Sequence, residues 1–223
     1  MLGYNIMRSL ELKYKELLMS NFLELCQTLN MKLCHDMAGI IGAIDNCVDL
    51  MEGDDNIRKK AVELLDINTK KLISRLKFYR TAYSIPINGE KVSVNEYKGL
   101  ISSFLKEHNV SIKFNLDDNV YLTDDLAKII LCLIPTSTNS FSRTGKFDIN
   151  INLYKNECLV KIINNAGKLI TDQLKLGILD GKIGINELNP YNAHEYYTYF
   201  LIEKTEHKLH INQLDNAIEY YLV

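Results

Sequence analysis

The stretch KLCHDMAGIIGAIDNCVDLM, Lys32 to Met51, decides how this chain is read. It sets a histidine beside an aspartate within a run of helically spaced apolar residues, and two glycines follow in the next two turns. Extended upstream, the apolar positions are Phe22, Cys26, Leu29, Leu33, Met37, Ile40, Ile44, Cys47 and Met51. Steps of three and four residues put them all on one side of an α-helix, the pattern of a seam packed against a partner. Residues 52–56, EGDDN, break the pattern: Gly53 can close the first helix, and Asp54 or Asp55 can cap a second. The second helix carries its own seam through Ile57, Ala61, Leu65, Asn68, Leu72, Leu76, Tyr79 and Tyr83 before SIPINGE stops it. The expectation is a long antiparallel helical hairpin over residues 20–85, preceded by a lead-in helix or tail over residues 1–19. One hairpin cannot bury two seams alone. Two hairpins can, as a four-helix bundle, so the pattern predicts a homodimer unless the rest of the chain covers the apolar face.

After Pro86 the pattern changes. KVSVNE reads as a short strand, VNEYKGLISSFLKEHN as a helix and VSIKFNL as an alternating strand. TDDLAKIILCLIPTSTNSF reads as a buried helix whose acidic start suits the helix dipole, with Pro135 interrupting it. KFDININLYK and ECLVKIINN form a hairpin around Lys155 and Asn156. ITDQLKLGILDG is a short helix closed by Gly181. NPYNAHEYYTYFLIEKTEH is another, with Asn189 as cap and Pro190 in the first turn. KLHINQLDNAIEYYLV ends the chain as two strands. Residues 86–223 therefore read as helices packed on one face of a mixed sheet, and the fold class as α+β.

Composition narrows the classes. With 26 Lys and Arg against 28 Asp and Glu, the net charge is -2, so no basic excess argues for nucleic acid or an anionic membrane surface. No apolar run is long enough to span a bilayer. The five cysteines are odd in number, widely spaced and without a C-x-x-C, against a disulfide framework or a zinc site. A reducing cytosol is the expected compartment.

His35 stands two residues from Leu33 and two from Met37, both on the seam. At about 100° per residue, it points away from the seam. Thr28, Met31, Ala38, Gly39, Gly42 and Asn46 share its face. Each glycine costs a helix about 1 kcal/mol relative to alanine, so two of them need a reason. Either they clear space beside the imidazole for another protein, or they form a small-residue groove for helix packing. A neutral imidazole is a good nucleophile near neutral pH and can take a phosphoryl group on one ring nitrogen. Asp36 can hydrogen-bond the other nitrogen, or it is a solvated helix charge. His108, His194, His207 and His210 read as structural or exposed, the last two as metal ligands only with a third donor.

LCHDMAGIIGAIDNCVDLM resembles the phosphoacceptor helix of the alphaproteobacterial histidine phosphotransferases of the ChpT type. Their pattern runs leucine, cysteine, histidine, aspartate, small residues, then Gly-Ala-Ile-Asn. Gly42, Ala43, Ile44 and the nearby Asn46 match it, with Asp45 where an asparagine is expected. RLKFYRTAYS, Arg75 to Ser84, resembles the run that closes the family's second helix, and NPYNAHEYYTYFL its late helix. The resemblance runs from about residue 20 onward.

The resemblance implies a histidine-kinase-like dimeric phosphotransferase, its hairpins sharing a four-helix bundle. Each hairpin is followed by a degenerate histidine-kinase-ATPase-like α/β sandwich without a nucleotide site. The chain carries marks of that loss. LIPTSTNSFSRTGK offers only Asn139 where an asparagine motif should stand. After CLVKIINN comes AGKLI, lacking the expected aspartate, and GKIGINEL has Gly181 and Gly184 but no phosphate-cradling lid. The resemblance further implies that His35 receives a phosphoryl group from the receiver domain of a hybrid histidine kinase and passes it to a response regulator. Asp36 would assist. Ala38, Gly39, Gly42, Ala43 and Asn46 would line the docking patch, and Arg80 would hold the receiver or cap the bundle. No cofactor of its own is implied, because the magnesium ion (Mg2+) belongs to the receiver. The rival readings are an ATP-dependent sensor kinase core and a non-catalytic receiver-binding adaptor.

Overall fold

The computed structural model describes residues 2–85, 90–106, 110–116, 122–138, 146–154, 157–165, 167–205 and 207–223, the side chains of residues 2–18, 116, 137, 138 and 154 excepted. Helix α1 runs Leu2–Asp49 without a break, and α2 runs Asp55–Ala82. A single 3-10 turn, Leu50–Glu52, and Gly53 join them. Asp54, rather than Asp55, caps α2: its carboxylate accepts from the backbone N–H of Asn56 at 2.9 Å and of Ile57 at 3.0 Å.

The inner line of α1 runs through Leu25, Ile40 and Cys47, with Leu29, Leu33, Met37 and Ile44 half-buried. Two expected members of the seam are elsewhere. Phe22 and Cys26 are exposed, and Leu25 takes the inner place. The reason is that this stretch of α1 packs on Ile178, Ala193 and Tyr196 of the later helices. On α2, Ala61, Phe78, Tyr79 and Ala82 are buried, whereas Ile57 and Leu76 face outward. The seam drawn from spacing is correct for the facing middles of the two helices and drifts where a helix changes neighbours.

Strand β1 is Lys91–Val92, α3 is Val94–Phe104, β2 is Val110–Leu116, and β3 is Leu122–Thr123. Helix α4, Asp124–Thr138, continues through Pro135 rather than stopping there. Leu133 and Ile134 are fully buried before the proline, and their packing outweighs the one backbone hydrogen bond it removes. Strands β4, Phe147–Tyr154, and β5, Glu157–Asn164, pair antiparallel as expected; the two turn residues 155 and 156 lie outside the described residues. Helix α5 is Gln173–Leu179, followed by Gly181 at φ 69°, the left-handed position that glycine adopts most readily.

Helix α6, Ala193–Glu203, starts later than the Asn-Pro signal suggested. The Asn189 side chain accepts from the Tyr191 N–H at 2.9 Å, and its carbonyl accepts from the Asn192 and Ala193 N–H. Asn189 thus builds the turn before the helix, and Asn192 is the cap position. Strands β6, Leu209–Gln213, and β7, Ala217–Leu222, complete a five-stranded sheet ordered β2-β4-β5-β7-β6. Only β2 and β4 pair in parallel in it, so the sheet is mixed. Alternate residues of β4 and β5, from Phe147 to Leu153 and Cys158 to Ile162, point into a core shared with α3, α4 and the end of α2.

Candidate functional site

The His35 side chain is 87% exposed on α1. Ala38, Gly39, Gly42 and Asn46 are exposed on the same face. A Cβ placed on Gly39 or Gly42 would meet nothing within 4 Å. The glycines therefore do not form a packing groove within this chain; they leave the surface round the ring low and open. Ala43 stands roughly 80° round the helix from His35 and is half-buried, so it borders the hairpin interior rather than the open face. Arg80 is exposed in the last turn of α2. Helical spacing sets it on one stripe with Val62, Ile73 and Leu76, all exposed.

Asp36 is neither a solvated charge nor a hydrogen-bond partner of the neighbouring ring. Its Oδ1 lies 3.7 Å from His35 Nδ1, outside hydrogen-bond range. Its Oδ2 accepts from the Tyr79 hydroxyl at 2.8 Å and from the Lys32 ammonium at 3.1 Å. The two donors come from different helices, and the carboxylate is mostly covered. Burial first, and then the charge of Asp36, push the Tyr79 phenol well above its ordinary pKa, so it stays protonated.

The Tyr79 ring belongs to an aromatic cluster. It stacks on Tyr83 with centroids 5.8 Å apart and meets Phe104 of α3 edge-on at 6.0 Å. Phe78 stacks on Phe104 at 3.9 Å, and the Arg75 guanidinium lies 5.3 Å from the Phe104 ring centre. Arg75, Phe78, Tyr79 and Tyr83 all fall within the RLKFYRTAYS run. Sequence spacing placed Tyr79 on the seam and gave no sign of its reach to Asp36, 43 residues away.

His194 is buried and structural. Its Nε2 donates to the Cys132 carbonyl at 2.6 Å, so its Nδ1 accepts from the Tyr83 hydroxyl, also at 2.6 Å. Burial holds its pKa below the ordinary value and pushes the Cys132 thiol up to about 12. Among the described residues no three His, Cys, Asp or Glu side chains gather as a metal site, and no helix is long and apolar enough to cross a membrane. His108 and Asn139 lie outside the described residues.

No family model matches the chain. The protein phosphotransferase ChpT of Brucella abortus (strain 2308) is 19% identical over 191 residues, covering 85% of this chain and 90% of that protein. A solved bacterial phosphotransferase superposes with a TM-score of 0.74 at 19% identity, over 90% of this chain and 96% of the other. The histidine kinase AdeS of Acinetobacter baumannii is a looser match, with a TM-score of 0.44 and 12% identity over 84% of this chain and 95% of that one. The chain is thus similar to ChpT-type phosphotransferases in sequence along most of its length, and it has the fold of a bacterial phosphotransferase.

Proposed function

We propose that this protein is a phosphorelay histidine phosphotransferase. His35 takes a phosphoryl group from the aspartyl phosphate of one receiver domain and returns it to the aspartate of another. The observation that carries the reading is the presentation of His35. A nearly fully exposed imidazole stands on a long helix, with Ala38, Gly39 and Gly42 leaving its C-terminal side open to a visitor and a carboxylate anchored beside it.

Transfer requires the phosphorus, the ring nitrogen and the departing aspartyl oxygen to lie in line, with most of the developing charge neutralised by the receiver's own magnesium ion and lysine. What this chain supplies is placement. With Nδ1 facing Asp36, Nε2 is the nitrogen turned outward. Its lone pair forms the N–P bond as the P–O bond to the receiver's carboxylate breaks. The ring passes through an imidazolium, whose positive charge the Asp36 carboxylate offsets.

The same reading has the chain act as a homodimer. Ile41 and Val48 on α1 and Val62, Ile73 and Leu76 on α2 leave apolar stripes exposed on the hairpin, and a second copy would cover them in a four-helix bundle. On this reading ATP takes no part in the reaction, because AGKLI and GKIGINEL stand where the aspartate and glycine loops of a nucleotide site are expected.

The test is phosphoryl flow between two purified receivers, one of them phosphorylated, with wild-type protein and with His35→Ala. Wild type should carry label to the second receiver through an acid-labile intermediate, and His35→Ala should carry none. Label taken up at His35 from ATP alone would mark the protein as a kinase instead. Receiver binding without any transfer would mark it as an adaptor.

A further inference from the structure

Asp36 has two carboxylate oxygens, and they are used differently. Oδ2 receives two donors, the Tyr79 hydroxyl at 2.8 Å and the Lys32 ammonium at 3.1 Å. Oδ1 is turned toward His35 Nδ1 and stops 3.7 Å away, less than an ångström beyond hydrogen-bond range. A free aspartate on a helix would rotate about its side-chain bonds and share both oxygens with water. Here one edge is pinned from the neighbouring helix, and the other edge is left for the ring.

We propose that Tyr79 is a positioning residue for phosphoryl transfer: its hydroxyl, aided by the Lys32 ammonium, aims the Asp36 carboxylate at Nδ1 of His35 and so commits Nε2 to the attack. The assignment rests on the phosphotransfer reading of His35. It gives the aromatic run of α2 a chemical task beyond packing.

The proton inventory is simple. In the neutral ring, the Asp36 carboxylate facing Nδ1 from 3.7 Å favours the proton there, so Nε2 carries the lone pair. Formation of the N–P bond and cleavage of the receiver's P–O bond leave the ring positively charged, with Nδ1–H facing the Asp36 carboxylate. That proton is released to solvent as the neutral phosphohistidine forms and is regained when the phosphoryl group departs. A carboxylate fixed beforehand needs no reorganisation when the charge appears.

Two further observations suit Tyr79 to this task. Its phenol does not ionise in the working range, because burial and the Asp36 charge both oppose it, so it remains a donor throughout. Its ring cannot swing away, being stacked on Tyr83 and flanked edge-on by Phe104. The charged and titratable groups around the clamp are Lys32 and His35 on α1 and Arg75 on α2.

Tyr79→Phe removes the hydroxyl and keeps the ring. Single-turnover transfer from a phosphorylated receiver should slow on the order of tenfold, with the half-saturating receiver concentration unchanged. Nitrogen NMR of the His35 ring should show the Nδ1–H tautomer losing population toward that of free histidine. In an Asp36→Asn background, the same change should make no further difference to the rate. A Tyr79→Phe protein with the wild-type rate and tautomer overturns the proposal. So does an equal loss in both backgrounds, which would mark a structural role. If no receiver labels wild-type His35, the phosphotransfer reading fails, and the tautomer comparison alone decides on the clamp. A shift upholds it and an unchanged tautomer removes it.

Discussion

Tyr83, the residue that closes α2, and His194 of α6 share a hydrogen bond of 2.6 Å, and the other ring nitrogen of His194 bonds the Cys132 carbonyl of α4. One neutral imidazole thus ties the hairpin to two helices of the sheet-bearing part of the chain. It does so only in one tautomer, with the proton on Nε2.

The pH dependence of stability follows from that tie. Burial holds the His194 pKa below its ordinary 6.5. As the pH falls below about 6.5, the unfolded chain protonates this ring before the folded protein does, so the unfolded state binds more protons and stability falls. The contribution of the neutral ring is therefore complete above the unfolded pKa and is lost as the pH drops through the folded one. Glutamine cannot titrate and keeps a donor and an acceptor. Urea unfolding across this range should show a shallower acid limb for His194→Gln than for wild type. An identical limb would mean that His194 does not titrate differently in the two states.

The open space at Gly39 and Gly42 leads to a trade between stability and docking. Neither glycine has a neighbour within 4 Å of where a Cβ would go. Gly39→Ala and Gly42→Ala should each stabilise the helix by about 0.5–1 kcal/mol, read as a higher urea midpoint. The same methyl groups stand on the face that the proposed receiver approaches, so receiver affinity should drop. Gain in stability with no loss of affinity would place the receiver on another face.

The hairpin and the exposed histidine were legible because both follow from local periodicity. Seam residues such as Ile40, Cys47 and Ala61 are buried on the sides of α1 and α2 that spacing predicts. Leu25 falls off the spacing-derived seam because α1 exchanges α2 for α5 and α6 as its neighbour, and no spacing rule announces a change of partner. Asn-Pro at residues 189 and 190 can begin either a helix or the turn before one, and the side-chain bond to Tyr191 selects the turn. The Asp36–Tyr79 contact was invisible for a different reason. It joins residues 43 positions apart, and Tyr79 already had a sufficient explanation as an apolar seam residue.

A buried cation anchors the end of the hairpin. Lys128 donates to Asp124 at 2.5 Å and to the Ile85 carbonyl at 2.9 Å, and Tyr97 donates to the other Asp124 oxygen at 2.8 Å. Lys128→Ala strands a buried carboxylate and should cost about 3–5 kcal/mol. Changing both charges at once, Lys128→Met with Asp124→Asn, should cost less than Lys128→Ala alone, because no unpaired charge remains. Chemical denaturation of the two proteins gives the comparison. Equal losses would show that packing, not the stranded charge, sets the penalty.

The exposed stripe on α2 tests the shared bundle. Ile73 and Leu76 lie three residues apart on one face, and Val62 lies three turns earlier on the same face. Large apolar side chains repeated along an outer face are costly to leave in water, at about 25 cal/mol per Å². In a dimer built on this face, each residue is buried by the partner copy. A glutamate there would be desolvated beside apolar neighbours, whereas in a monomer it would simply be solvated. Ile73→Glu with Leu76→Glu should therefore convert the protein to a folded monomer, with sedimentation giving half the mass and circular dichroism retaining the helices. A dimer that survives both glutamates must use a different surface, and a wild-type protein that sediments as a monomer rules out the four-helix arrangement.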